Sequence, residues 1–102
     1  MGLLSRNPFA WEITVRREVL DDEMARLRDI PYSLWRNVLE KPISKMVTAR
    51  DNKAYRLRVT ADLAPDGSED IHVTLTLGRA SMIRRGLLRQ GFTITRENTF
   101  RV

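Results

Sequence analysis

"YRLRVTADL", residues 55–63, alternates without a break. Tyr55, Leu57, Val59, Ala61 and Leu63 fall on one side, and Arg56, Arg58, Thr60 and Asp62 on the other. A period of two over this length is the pattern of a strand with one buried and one wet face. Its neighbours repeat the pattern. Ile43 to Ala49 precedes it across Asp51-Asn52-Lys53, read as a three-residue loop with a left-handed residue at Asn52 or Lys53. That loop predicts a register with Ala49 opposite Tyr55, Val47 opposite Leu57 and Ile43 opposite Ala61. After the turn-rich stretch Ala64-Pro65-Asp66-Gly67-Ser68, Ile71, Val73, Leu75 and Leu77 make the inner face of a third strand.

On the N-terminal side, residues 1–8 read as a loose arm. Trp11, Ile13 and Val15 alternate with Glu12, Thr14 and Arg16, which predicts a first strand. A helix is then expected from Leu20, with Asp21 as cap, Met24, Leu27 and Ile30 inward, and Pro31 as its limit. A second short helix follows, capped by Ser33. The pairs Leu34/Val38 and Trp35/Leu39 form its apolar face, and Pro42 closes it.

The last third opens with "GRASMIRRGLLRQGF", residues 78–92, which holds four arginines and no acid. Met82, Ile83, Gly86 and Leu87 fall on one side at 100° per residue and Arg85 and Arg89 opposite, which predicts a helix. Gly91 is expected to end it in the left-handed conformation, with Phe92 packing back on Leu87. A closing strand or hairpin then places Phe92, Ile94, Phe100 and Val102 inward around a Glu97-Asn98 turn. The expected architecture is a single α+β domain spanning residues 1–102. It is a two-layer sandwich with a mainly antiparallel sheet of four or five strands and helices on one face, in the order β-α-α-β-β-β-α-β.

Charge is unevenly placed. Residues 1–70 balance twelve bases against twelve acids, whereas residues 71–102 carry six arginines against Glu97 alone, the whole of the net +5. Such asymmetry is the footprint of an acidic partner, and only three of the eighteen bases are Lys, a balance that suits phosphate recognition.

Other chemistry finds little support. Cysteine is absent, which removes disulfides, thiol catalysis and Cys-type metal sites and fits a reducing, cytoplasmic setting. No apolar run reaches the roughly 20 residues of a membrane span. Met1 to Arg6 lacks the apolar stretch of a signal peptide, and Arg6 stands where myristoylation asks for Ser or Thr. The glycine-rich phosphate loops and the Gly-x-Ser-x-Gly elbow are missing. His72, the sole histidine, falls on the polar strand face beside Thr74 and Thr76 with no carboxylate on its strand to orient it. Asp21-Asp22-Glu23 suits a helix start better than a cation, and Asp66 to Asp70 suits a hairpin loop. Trp11, Tyr55, Phe92 and Phe100 occupy inward positions, and Trp35 an apolar helix face, so the polar face of the sheet offers no ring to stack on bases.

These residues point to a non-enzymatic binding module without cofactor or metal. Its expected partner is a polyanion, RNA or DNA phosphate, met by Arg79, Arg84, Arg85 and Arg89 on the C-terminal helix, with Arg56, Arg58 and Arg96 joining if the surfaces meet. The alternative is a protein-interaction or self-associating module using Leu88 and the polar sheet face.

Overall fold

The computed structural model describes residues 8–79 and 88–101. Two helices come first, α1 (Pro8–Leu27) and α2 (Tyr32–Arg36). Five strands follow: β1 (Ile43–Thr48), β2 (Ala54–Leu63), β3 (Ile71–Arg79), β4 (Leu88–Ile94) and β5 (Phe100–Arg101). The strands form one antiparallel meander in the order β1-β2-β3-β4-β5. The helices cover one face, so the protein is α+β as expected, but the element order is not the expected one.

The first correction is at the N-terminus. Residues 9–16 are helical, not a strand. Pro8 opens the helix, where its missing N–H costs nothing. The deciding pattern is longer than the Trp11–Val15 alternation: Val15, Leu20 and Glu23 are buried, with Val19, Met24 and Leu27 beside them. That is a helical stripe. Ile13, off the stripe, is exposed, and so is Trp11. Asp21, expected as a cap, lies mid-helix, where it accepts a hydrogen bond from Gln90 Nε2 at 3.4 Å. In α2 the capping position is Pro31, without a side-chain cap, rather than Ser33. Trp35 is buried there, while Leu34 faces solvent.

The second correction is a register shift. β1 and β2 pair Val47 with Tyr55, Lys45 with Leu57 and Ile43 with Val59, two residues from the expected alignment. Ala49 N–H donates to Lys53 O at 3.1 Å, so the three-residue loop is Arg50-Asp51-Asn52. Asn52 holds the left-handed conformation (φ 64°) and Asp51 accepts from Lys53 N–H at 3.0 Å. An even shift keeps every side chain on its face, which is why the inward set survives it. The β4–β5 turn repeats the device: Thr95 N–H donates to Thr99 O at 3.0 Å around Arg96-Glu97-Asn98, with Asn98 left-handed (φ 65°). Asn98 Oδ1 also accepts the Tyr32 N–H at 2.8 Å, tying that turn to the start of α2.

The third correction concerns the expected Arg-rich helix. Gly78 and Arg79 end β3, and Leu88 to Phe92 begin β4. Residues 80–87 lie outside the described residues, as does Val102 in the closing strand. Gly91 is not a left-handed helix end: it stands mid-strand opposite Thr74. A Cβ there would meet the Val73 carbonyl oxygen at 3.0 Å, a close backbone approach that selects glycine. Phe92 does not pack back at a helix end; it packs between Trp35 (centroids 6.1 Å apart, edge-on) and Phe100 (4.8 Å).

The core lies between helices and sheet. Leu57, Val59, Ala61, Ile71, Val73, Leu75, Leu77, Phe92 and Ile94 supply its floor, and Val15, Leu20 and Trp35 its roof. α1 rests over β3 and β4, and α2 over β3. β1 is left at the open edge, its residues exposed on both faces except Val47, which is half-buried.

Candidate functional site

The face of the sheet turned away from the helices is built from the polar half of each alternation. Pairing sets its rows. Met46, Arg56 and Gly78 lie abreast across β1, β2 and β3. Ser44, Arg58, Thr76 and Arg89 form the next row, across four strands. Thr60, Thr74 and Gly91 follow, then Asp62, His72, Thr93 and Arg101. Strand geometry puts Arg56 and Arg58 about 7 Å apart along one strand, and Arg58 and Arg89 about 10 Å apart with Thr76 between them.

Arg56, Arg58 and Arg89 are exposed. Among the described residues none of the three has an ion pair or a hydrogen bond to a side chain. Several arginines elsewhere are engaged. Arg50 pairs with Glu18 at 2.7 Å and lies 4.4 Å over the Trp11 ring. Arg101 holds Asp70 at 2.8 Å. Asp62, two rows away, is the one acid that the described strands place on the face. Three like charges therefore share a surface with no acid beside them among the described residues, an arrangement that raises the local concentration of anions.

Of the seven arginines expected at the site, the structure brings these three together. Arg79 pairs with Tyr55 on the helix side and is engaged there. Arg96 sits in the β4–β5 turn, 3.5 Å from Glu69. Arg84 and Arg85 lie outside the described residues. Leu88, expected at a protein interface, is half-buried against the core. Ser44 and Thr76, hydroxyls in the Arg58–Arg89 row, were not singled out by sequence. Alternation places both on the polar face, but only the register sets them beside the arginines.

Other candidate chemistry resolves into structure. His72 is exposed and its Nδ1 pairs with the Thr93 hydroxyl at 2.8 Å. Asp66 accepts from the Ser68 hydroxyl and N–H, which hold its carboxyl below the usual 3.8 and brace a loop. Glu23 is nearly buried and meets Lys45 Nζ at 2.7 Å and Arg26 at 3.3 Å. Among the described residues no group of three or more His, Cys, Asp or Glu is placed to hold a metal ion. No described helix is long and apolar enough to cross a membrane.

A groove of about 420 Å³ separates α1 from β1, with Val19, Glu23, Lys45 and Val47 in its walls. The Glu23–Lys45 bridge divides it from a smaller apolar hollow of about 130 Å³ over Leu57 and Val59.

The chain matches no family model, no curated protein and no solved structure.

Proposed function

We propose that this protein is a small binding module whose uncovered sheet face contacts a polyanion backbone, RNA or DNA phosphate, through Arg56, Arg58 and Arg89. The observation that carries the proposal is the placing of these three exposed arginines on one face, without ion pairs among the described residues. Guanidinium groups take phosphate oxygens in pairs, and the Thr76 hydroxyl between Arg58 and Arg89 and the Ser44 hydroxyl beside Arg58 add donors. The strands place no aromatic ring on this face, so contacts go to the backbone and discriminate little between base sequences. The C-terminal helix of the sequence-based expectation is not part of the proposal.

Fluorescence anisotropy against random RNA and duplex DNA at two salt concentrations tests it. With three phosphates met, log K falls against log salt with a slope of about −2 to −3. Replacing Arg56, Arg58 and Arg89 with Gln removes exposed charges and leaves the fold intact. Affinity drops by a similar factor for all sequences and the slope flattens. Equal affinity of both proteins, or no wild-type binding at low salt, rejects the proposal.

A further inference from the structure

The two edges of the sheet differ. β5 is described over two residues, which offer little to pair with. β1 is six residues long, continuous in register and free of bulges. Its one charge, Lys45, is drawn under α1 to Glu23 at 2.7 Å instead of guarding the edge. Met46 and Ile43, each about half exposed (51% and 45%), stand on its two faces. Among the described residues no strand pairs with its outer side.

Ladder geometry says which groups are open. Ala49 bonds to Lys53, and hydrogen-bonded pairs alternate along an antiparallel ladder. Val47, Lys45 and Ile43 therefore bond to β2, while the N–H and C=O groups of Ser44, Met46 and Thr48 point outward.

We infer that β1 pairs with β1 of a second copy, antiparallel about a twofold axis through Met46, joining two sheets into one. Of the registers that keep both helix layers on the same side, two overlap five of the six β1 residues. One sets Lys45 against its own mate, a like-charge contact, and spends the Thr48 donor and acceptor on Pro42, which has no N–H. The other opposes Met46 to Met46 of the second copy and Ser44 to its Thr48, so all three outward residues exchange both hydrogen bonds. It sets Lys45 beside Val47 and Ile43 beside Ala49. Past the strand ends, Lys41 lies toward the turn that holds Asp51 of the second copy, a charge of opposite sign. Of the two, this register alone pairs every outward backbone group and keeps the lysines apart. It covers Met46 in both copies and places both Arg56 side chains in one row with the Met46 pair. The contact is small, so the dimer belongs to the weak class. Nothing in it depends on polyanion binding.

The full chain has no cysteine, so Met46→Cys creates a single thiol. At a hydrogen-bonded twofold pair the Cα atoms lie about 5.5 Å apart, within disulfide reach. Oxidised Met46→Cys protein forms a covalent dimer of twice the 11.9 kDa chain, while Thr48→Cys, whose own mate is several residues away, does not. In sedimentation equilibrium up to about 1 mM, the wild type dimerises. Met46→Lys and Ser44→Pro remain monomeric: the first opposes two charges, and the second removes an outward N–H that β2 does not use. A wild type that stays monomeric, a dimer that survives both variants, or cross-linking of Thr48→Cys equal to that of Met46→Cys overturns the inference.

Discussion

Removing one hydroxyl isolates what holds the β1–β2 turn. Tyr55 is fully buried, and its hydroxyl donates to Asp51 Oδ2 at 2.6 Å. Tyr55→Phe keeps the ring, its packing and the Arg16 guanidinium 5.7 Å from its centre. The change removes the hydrogen bond to the Asp51 carboxylate. Such bonds contribute about 1.5–3 kcal/mol; Asp51 is half-buried and water can replace part of the donor, so the expected loss is about 1–2 kcal/mol. Burial raises the Asp51 pKa, but the Tyr55 hydroxyl, the Lys53 N–H and the Lys53 charge outweigh it and hold the carboxyl below 3.8. A depressed folded-state pKa means stability that is present above the unfolded value and lost as pH falls through the folded one. Tyr55→Phe removes one lowering cause, so its Asp51 protonates at higher pH than in the wild type. Urea unfolding should show a constant gap between the two proteins near neutrality, with unchanged slope, narrowing below 3.8. Asp51→Asn, which keeps an acceptor and removes the charge, should lose less when Tyr55→Phe is added than the wild type does. Equal stabilities near neutrality, or a gap independent of pH down to about pH 2, would refute the role given to this bond.

Three further outcomes can be checked by the same unfolding measurement. Trp11→Ala should cost about 1 kcal/mol, the loss of partial packing and of Arg50 over the ring; a strand with Trp11 in the core would lose about 3–5 kcal/mol. Gly91→Ala should destabilise by about 1–2 kcal/mol net, because the added methyl presses on the Val73 carbonyl oxygen at 3.0 Å and outweighs the entropy gained in the unfolded chain. Lys45→Met should cost about 1–3 kcal/mol by leaving nearly buried Glu23 with Arg26 alone, and Glu23→Leu added to it should restore most of that loss.

Much of the sheet could be read from the chain. β2 and β3 alternate over nine or ten residues, long enough that no helical stripe fits them. The two turns were legible in Asn52 and Asn98, residues that tolerate left-handed backbone. Arg56 and Arg58 were legible for the same reason as the strand that carries them. The segment from Leu88 also alternated, with Leu88, Gln90, Phe92 and Ile94 against Arg89, Gly91 and Thr93, but a helical face over 82–87 competed for it.

Where periodicity is short, both structures fit, and partners decide. Trp11, Ile13 and Val15 alternate over five residues, yet Val15 belongs to a stripe that runs on to Leu27 and roofs β3 and β4. Leu88 to Ile94 is a strand because β3 offers it a complete ladder from Leu77 to Ile71. The meeting of Arg89 with Arg58 across Thr76 exists only through that ladder, since residues 31 apart in sequence become neighbours by hydrogen bonding and not by any local preference. Sequence determined which residues are polar and which way each long strand faces. Tertiary pairing decided which polar residues share a surface, because register is set by backbone bonds between segments that carry no mark of one another.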